Sequence, residues 1–135
     1  MGDFRKIKGK KYKRLIEILF KHSNRIAFVA DYTYISRDII EQFFEPIRSY
    51  LIEIKEPNPT SIYYFHLNYF TKEFILEKSD SLYDWDFRNY YPENLMFFKD
   101  EKMVFSIITH EEEITYISEE VQNILIKENL ISKLF

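Results

Sequence analysis

At 135 residues, with 46% hydrophobic and 19% aromatic side chains and a net charge of −3, the chain reads as a single domain, residues 1–135, able to bury a core without covalent staples. The absence of cysteine excludes a disulfide framework, thiolate metal sites and a cysteine nucleophile, and two glycines, Gly2 and Gly9, exclude a glycine-rich phosphate loop. No apolar run reaches the ~18–20 residues of a membrane span. The basic start also lacks the apolar stretch and small-residue cleavage site of a secretory leader, so a cytoplasmic protein without a membrane partner is expected.

The charge is unevenly spread. Residues 1–25 hold nine Lys/Arg against Asp3 and Glu17, a net of +7, whereas residues 26–135 hold ten Lys/Arg against twenty Asp/Glu, a net of −10. Residues 1–11 read as a solvated, flexible basic lead-in. Tyr12, Leu15, Ile16 and Leu19 then follow the spacing of an amphipathic helix that Ser23-Asn24 ends. Residues 25–32 read as a buried strand with Asp31 at its end. Ser36 is placed to cap a second helix, with Asp38 in its first turn and Ile39, Ile40, Phe43 and Phe44 as its apolar stripe.

Pro46 should end that helix, with a helix continuing to Ile54 as the rival reading. Residues 49–56 and 61–70 then form strands joined by the loop PNPT. Residues 71–80 suggest a short helix or turn, and the aromatic stretch from Ser81 to Asn94 is irregular. Glu93-Asn94 after Pro92 looks like a turn. Residues 95–99 and 102–109 make a hairpin around Asp100-Glu101, residues 114–117 add a strand, and Ser118 caps a last helix. The fold class is therefore α+β, a mainly antiparallel sheet packed by an N-terminal, a middle and a C-terminal helix, in the order αβαββαβββα.

Candidate chemistry concentrates in residues 82–117. Of the three histidines, His22 suits the end of the first helix and His66 a hydrogen-bonded place in a strand. His110, ahead of Glu111, Glu112 and Glu113, is the fallback catalytic candidate. In an extended strand His110 and Glu112 share a face, and Asp84 with Asp86 can complete an oxygen-rich set for a hard divalent cation, although no zinc-binding HExxH spacing occurs. No serine lies in a nucleophile elbow or an S-x-x-K pattern. Trp85 between two aspartates has two readings: an anchor buried against the sheet with its N–H satisfied and the aspartates facing water, or part of a contact surface. Eleven tyrosines and thirteen phenylalanines exceed what one small core easily hides. Tyr83, Trp85, Tyr90 and Tyr91 can thus present a partner-binding face, rimmed by Asp84, Asp86 and Glu93.

The segments LYDWDF (82–87) and YYPENLMFFKDEKMVFSIITHEEEITYI (90–117) resemble a pattern of small uncharacterised bacterial α+β proteins, in which L-Y-D-W precedes P-E-D/N-L, an F-F-K/R-D hairpin and a final H-E. That resemblance implies a structural template and no particular chemistry. The small, acidic, single-domain character also looks like the immunity proteins of bacterial toxin systems. The expected function is a non-catalytic protein-binding domain, immunity-like or regulatory. It would occlude a partner, a basic toxin or enzyme, through Tyr83, Asp84, Trp85, Asp86, Tyr90, Tyr91, Glu111, Glu112 and Glu113, with no cofactor or metal. A homodimer held by the basic start and the acidic body is a further possibility. The alternatives are a small metal-dependent hydrolase or nuclease using His110 with Asp84/Asp86 and Glu111/Glu112, and nucleic-acid binding through the basic N-terminal helix.

Overall fold

The computed structural model describes residues 6–132; the first five positions of the basic lead-in and the last three of the chain lie outside the described residues. The elements follow the order α1 (Lys10–His22), β1 (Arg25–Asp31), α2 (Arg37–Phe44), β2 (Leu51–Lys55), β3 (Thr60–His66), α3 (Tyr69–Lys78), β4 (Glu93–Lys99), β5 (Lys102–Ile108), β6 (Glu113–Ile117) and α4 (Glu119–Lys127). The strands form one antiparallel sheet in the order β2-β3-β1-β4-β5-β6. This is an α+β architecture, mainly antiparallel, in the expected element order. No helix among the described residues is long and apolar enough to cross a membrane.

Local chemistry explains the boundaries. Ser36 accepts the Ile39 N–H and Ser118 the Val121 N–H, so both expected caps form. Pro46 ends α2 as expected. The chain then takes a 3-10 turn over Glu45–Tyr50 before β2 begins at Leu51, two residues later than the alternation suggested. The residues after His66 leave the sheet because Asn68 and Thr71 form a reciprocal cap, each side chain accepting the other's backbone N–H, which starts α3 at Tyr69. The strand read over 61–70 is thereby cut at His66, an exposed strand end.

The inward sheet face carries Ile26, Phe28, Ala30, Tyr63, Phe65, Leu95 and Phe97, all buried. α1 covers it with Tyr12, Leu15, Ile16 and Leu19, and one core cluster runs from Ile7 to Ile131. The described part of the basic lead-in belongs to this body: Ile7 is buried, Lys8 bridges Ser81, and the Gly9 N–H donates to the Asp80 carbonyl. Gly9, at φ 59° and ψ −123°, holds a conformation that side-chain-bearing residues rarely adopt, and it turns the chain into α1. The α1 cations face outward, and Arg14 forks Glu128 beyond α4 at 2.5 and 2.6 Å, so part of the basic face is answered by the acidic body of the same chain.

Candidate functional site

Trp85 lies at the centre of the core, fully sealed from solvent. Its ring contacts Phe28, Phe43 and Tyr91 at centroid distances of 5.3, 5.9 and 5.4 Å. Its indole N–H donates to the Tyr12 hydroxyl at 3.2 Å. That hydroxyl shares a 2.6 Å hydrogen bond with Ser79, which donates to the Ile75 carbonyl. Burial pushes the Tyr12 hydroxyl up to about 12. Trp85 is thus the anchor of its two readings, and its place in an exposed face is corrected: the irregular segment seats the indole among Phe28 of β1, Phe43 of α2 and Tyr12 of α1.

The neighbouring residues divide. Tyr90 is 68% exposed. It sits at φ 61° and ψ 34°, closing a short 3-10 turn over Phe87–Asn89. Tyr91 is half-buried, with its hydroxyl donating to the Lys78 carbonyl. Asp84 turns back to accept the backbone N–H groups of Asp80 and Ser81. Tyr83, half-buried, donates to the Glu112 carbonyl at 3.4 Å, which ties the 82–84 turn to the acidic turn 109–113. Glu111, Glu112 and Glu113 are all exposed. The structure therefore brings Tyr83, Asp84 and Glu112 to one depression with Lys8 and Ser81, while Trp85 stands apart from it.

Asp86 does not face water as the anchor reading supposed. It is 4% exposed, accepts the Arg88 backbone N–H, and is gripped by the Arg88 guanidinium through Nε and Nη2. The Arg88 guanidinium holds its carboxyl below the usual carboxylate range. A folded value depressed in this way stabilises the protein above the ordinary carboxylate range, and the contribution is lost as pH falls through the folded value. Asp86→Ala is expected to cost about 2 kcal/mol at neutral pH, from a lost cap and charge-assisted bonds. Urea melts should show the difference narrowing in acid. With Asp84 and Asp86 both committed, the hard-cation set does not assemble, and among the described residues no group of three or more His, Asp or Glu is gathered as a metal ion would need.

A different cluster forms where β1 ends and β4 begins. A cleft of about 460 Å³ is lined by Asp31, Tyr34, Phe87, Arg88, Glu93 and His110. Asp31 shapes its own turn by accepting the Thr33 N–H on Oδ1 and the Tyr34 and Ile35 N–H groups on its carbonyl. This projects Tyr34, 61% exposed, which stacks on Phe87 with centroids 4.8 Å apart and planes 23° from parallel. His110 stands in the turn after β5, exposed at the cleft mouth.

Glu93 begins β4 and is no turn residue. Alternation from Phe97 and Leu95 would carry its side chain into the core. Instead the β1–β4 register slips between Ala27↔Met96 and Val29↔Glu93, at Asn94, whose φ is 58°. The irregularity re-aims Glu93 to the face shared by Val29 and Asp31. Asn94 is fixed there by reciprocal bonds, its N–H to the Thr109 hydroxyl and its Oδ1 from the Thr109 N–H, at 3.1 and 2.8 Å. Replacing Asn94 by alanine removes the second bond and leaves a methyl-bearing residue in the left-handed region, an expected loss of about 2 kcal/mol. Asn94→Gly relieves the backbone and should cost less; chemical denaturation of the two variants checks the order.

Glu93 itself is 93% withdrawn from solvent, being 7% exposed, and its Oε2 has no hydrogen-bond partner. Burial pushes its carboxyl above the usual carboxylate range, against a lowering pull from His110, and nearby Asp86 and Asp31 push it up as well. Three left-handed residues that are not glycine, Tyr90, Asn94 and Glu112, lie within the two segments that wall this end of the sheet. Such conformations persist where the surroundings over-determine them, and they concentrate at functional sites.

In the sequence Glu93 is marked only as a turn and rim residue, and Asp31, Tyr34, Phe87 and Arg88 carry no functional signal. Comparison with protein-family models, with curated proteins and with solved structures returns no match.

Proposed function

We propose that the protein is a non-catalytic binding domain, immunity-like or regulatory, that occludes a partner protein with the acidic aromatic face at the β1/β4 end of its sheet. The observation that carries this reading is the rigid presentation of exposed rings beside carboxylates: Tyr34 stacked on Phe87, and Tyr90 held out by a left-handed turn. Rings of this kind supply contact area at small entropic cost. The exposed Glu111, Glu112 and Glu113 supply a negative border that speeds encounter with a basic surface. Trp85 supports the face from beneath and makes no contact itself.

For the fallback role of His110 as a general acid or base, the one carboxylate of its set beside it is the exposed Glu111, Nε2 to Oε1 at 3.9 Å, while Asp84 and Asp86 are occupied by backbone N–H groups and by Arg88. For nucleic acid, the exposed cations of α1 remain the candidate surface, opposed by a body of net charge −10.

The test is site-specific photo-crosslinking in cells that produce the protein. A photoreactive side chain at position 90 should trap one discrete partner adduct that disappears with Tyr34→Ala, while the same group at Glu101, in the β4–β5 turn, should trap none. Equal adduct patterns from the two positions would contradict the proposal.

A further inference from the structure

We propose that the cleft between Asp31 and Glu93 receives an arginine side chain of the partner, its guanidinium paired with the two carboxylates and its flat face against the Tyr34–Phe87 rings. This deepens the binding-face reading above and rests on it.

The cleft holds a carboxylate that the fold leaves unanswered. Glu93 is almost wholly buried, lines the cavity, and keeps Oε2 without a partner, whereas a buried carboxylate oxygen ordinarily finds a donor. Asp31 spends Oδ1 on its own turn and adds a second negative charge at the same wall. The cation already present does not meet this demand, because Arg88 is committed to Asp86 through two nitrogens. With Arg88 spent on Asp86, Asp31 and Glu93 face only the exposed His110 imidazole across the cleft, so it favours a positive guest.

Shape selects among cations. A lysine ammonium is a compact, strongly hydrated charge that loses much on entering a part-buried cleft, whereas a guanidinium is flat, weakly hydrated and always charged. It can donate two parallel bonds to one carboxylate and lay its face on an aromatic ring. Arg88 on Asp86 shows a fork of this kind in the same corner of the fold. An anion is the opposing guest, drawn by Arg88 and His110, and it would have to approach the carboxylates of Asp31 and Glu93.

The experiment is an amide NMR titration of the full chain with the pentapeptide amide Gly-Gly-Arg-Gly-Gly, its lysine and citrulline counterparts, free arginine and inorganic phosphate. The arginine peptide should shift the amides of Tyr34, Phe87, Arg88 and Glu93, and the uncharged citrulline peptide should not. Glu93→Gln and Tyr34→Ala should each weaken arginine-peptide binding by about tenfold, as loss of one charge-assisted pair or one stacked ring predicts. Binding of the citrulline peptide as tight as the arginine peptide, a stronger response to phosphate, tighter binding of free arginine than of the peptide, or full affinity in Glu93→Gln would each overturn the proposal. If these tests fail while the adduct from position 90 persists, the binding face stands and only its arginine guest is lost. If the adduct fails while the arginine peptide binds, the partner-occlusion reading falls instead.

Discussion

Trp85→Ala is expected to lose about 3–5 kcal/mol of folding stability, the usual cost of emptying a large aromatic site in a core. The indole is fully buried and packs on Phe28, Phe43 and Tyr91, which belong to β1, α2 and the segment before β4. Its removal therefore opens a void shared by three parts of the chain, which no single side chain can fill. Against a typical total of about 5–15 kcal/mol, that loss approaches unfolding. Trp85→Phe keeps most of the volume and gives up the indole N–H to Tyr12, while the Tyr12 hydroxyl retains Ser79; about 1–2 kcal/mol is the expected cost. Urea denaturation followed by circular dichroism measures both. A loss below about 1 kcal/mol for the alanine variant would mean that the indole is not the keystone of this core.

Glu93→Gln has the opposite expected sign. The carboxyl of Glu93 is raised in the folded protein by burial, and in the unfolded chain it titrates near the ordinary value of about 4.3. A raised folded value means that the protonated form is favoured by folding. Its contribution is full below the unfolded value and is lost as pH rises through the folded value. At neutral pH the folded protein thus holds a charged, partly unanswered carboxylate at a cost, and glutamine removes the charge while keeping the shape. The variant should gain about 1 kcal/mol at neutral pH, seen as a rise of about 3–5 °C in Tm. The gain should shrink through the carboxylate range and vanish below it. A variant that is more stable yet binds the arginine peptide more weakly is the signature of a residue kept for function rather than for folding.

The elements were legible because their signals are local. Ser36 and Ser118 sit three residues ahead of the first apolar residues of their helices, Pro46 removes a donor, and Asp100 at φ 56° makes the turn that joins β4 to β5. The cleft was not legible, because its parts meet only through the pairing of β1 with β4. Asp31 and Glu93 are 62 positions apart, and no periodicity announces that their strand ends adjoin. Glu93-Asn94 after Pro92 carries every mark of a turn, and the left-handed Asn94 is real; it serves as an irregularity inside the sheet rather than as a connection. Trp85 misled for a related reason. Flanking aspartates suggested water on both sides, yet Asp84 bonds back onto Asp80 and Ser81 and Asp86 is covered by Arg88, which lets the ring between them turn inward.

The most direct measurement is the titration of the Glu93 side-chain carboxyl in the folded protein, followed by carbon NMR and assigned by its loss in Glu93→Gln. A carboxylate buried without a donor, and waiting for one, titrates above an ordinary glutamate, and the arginine peptide should pull that midpoint down. A midpoint at or below the ordinary value in the free protein would contradict the account, because Glu93 would then be solvated or already paired, with nothing left to offer a guest.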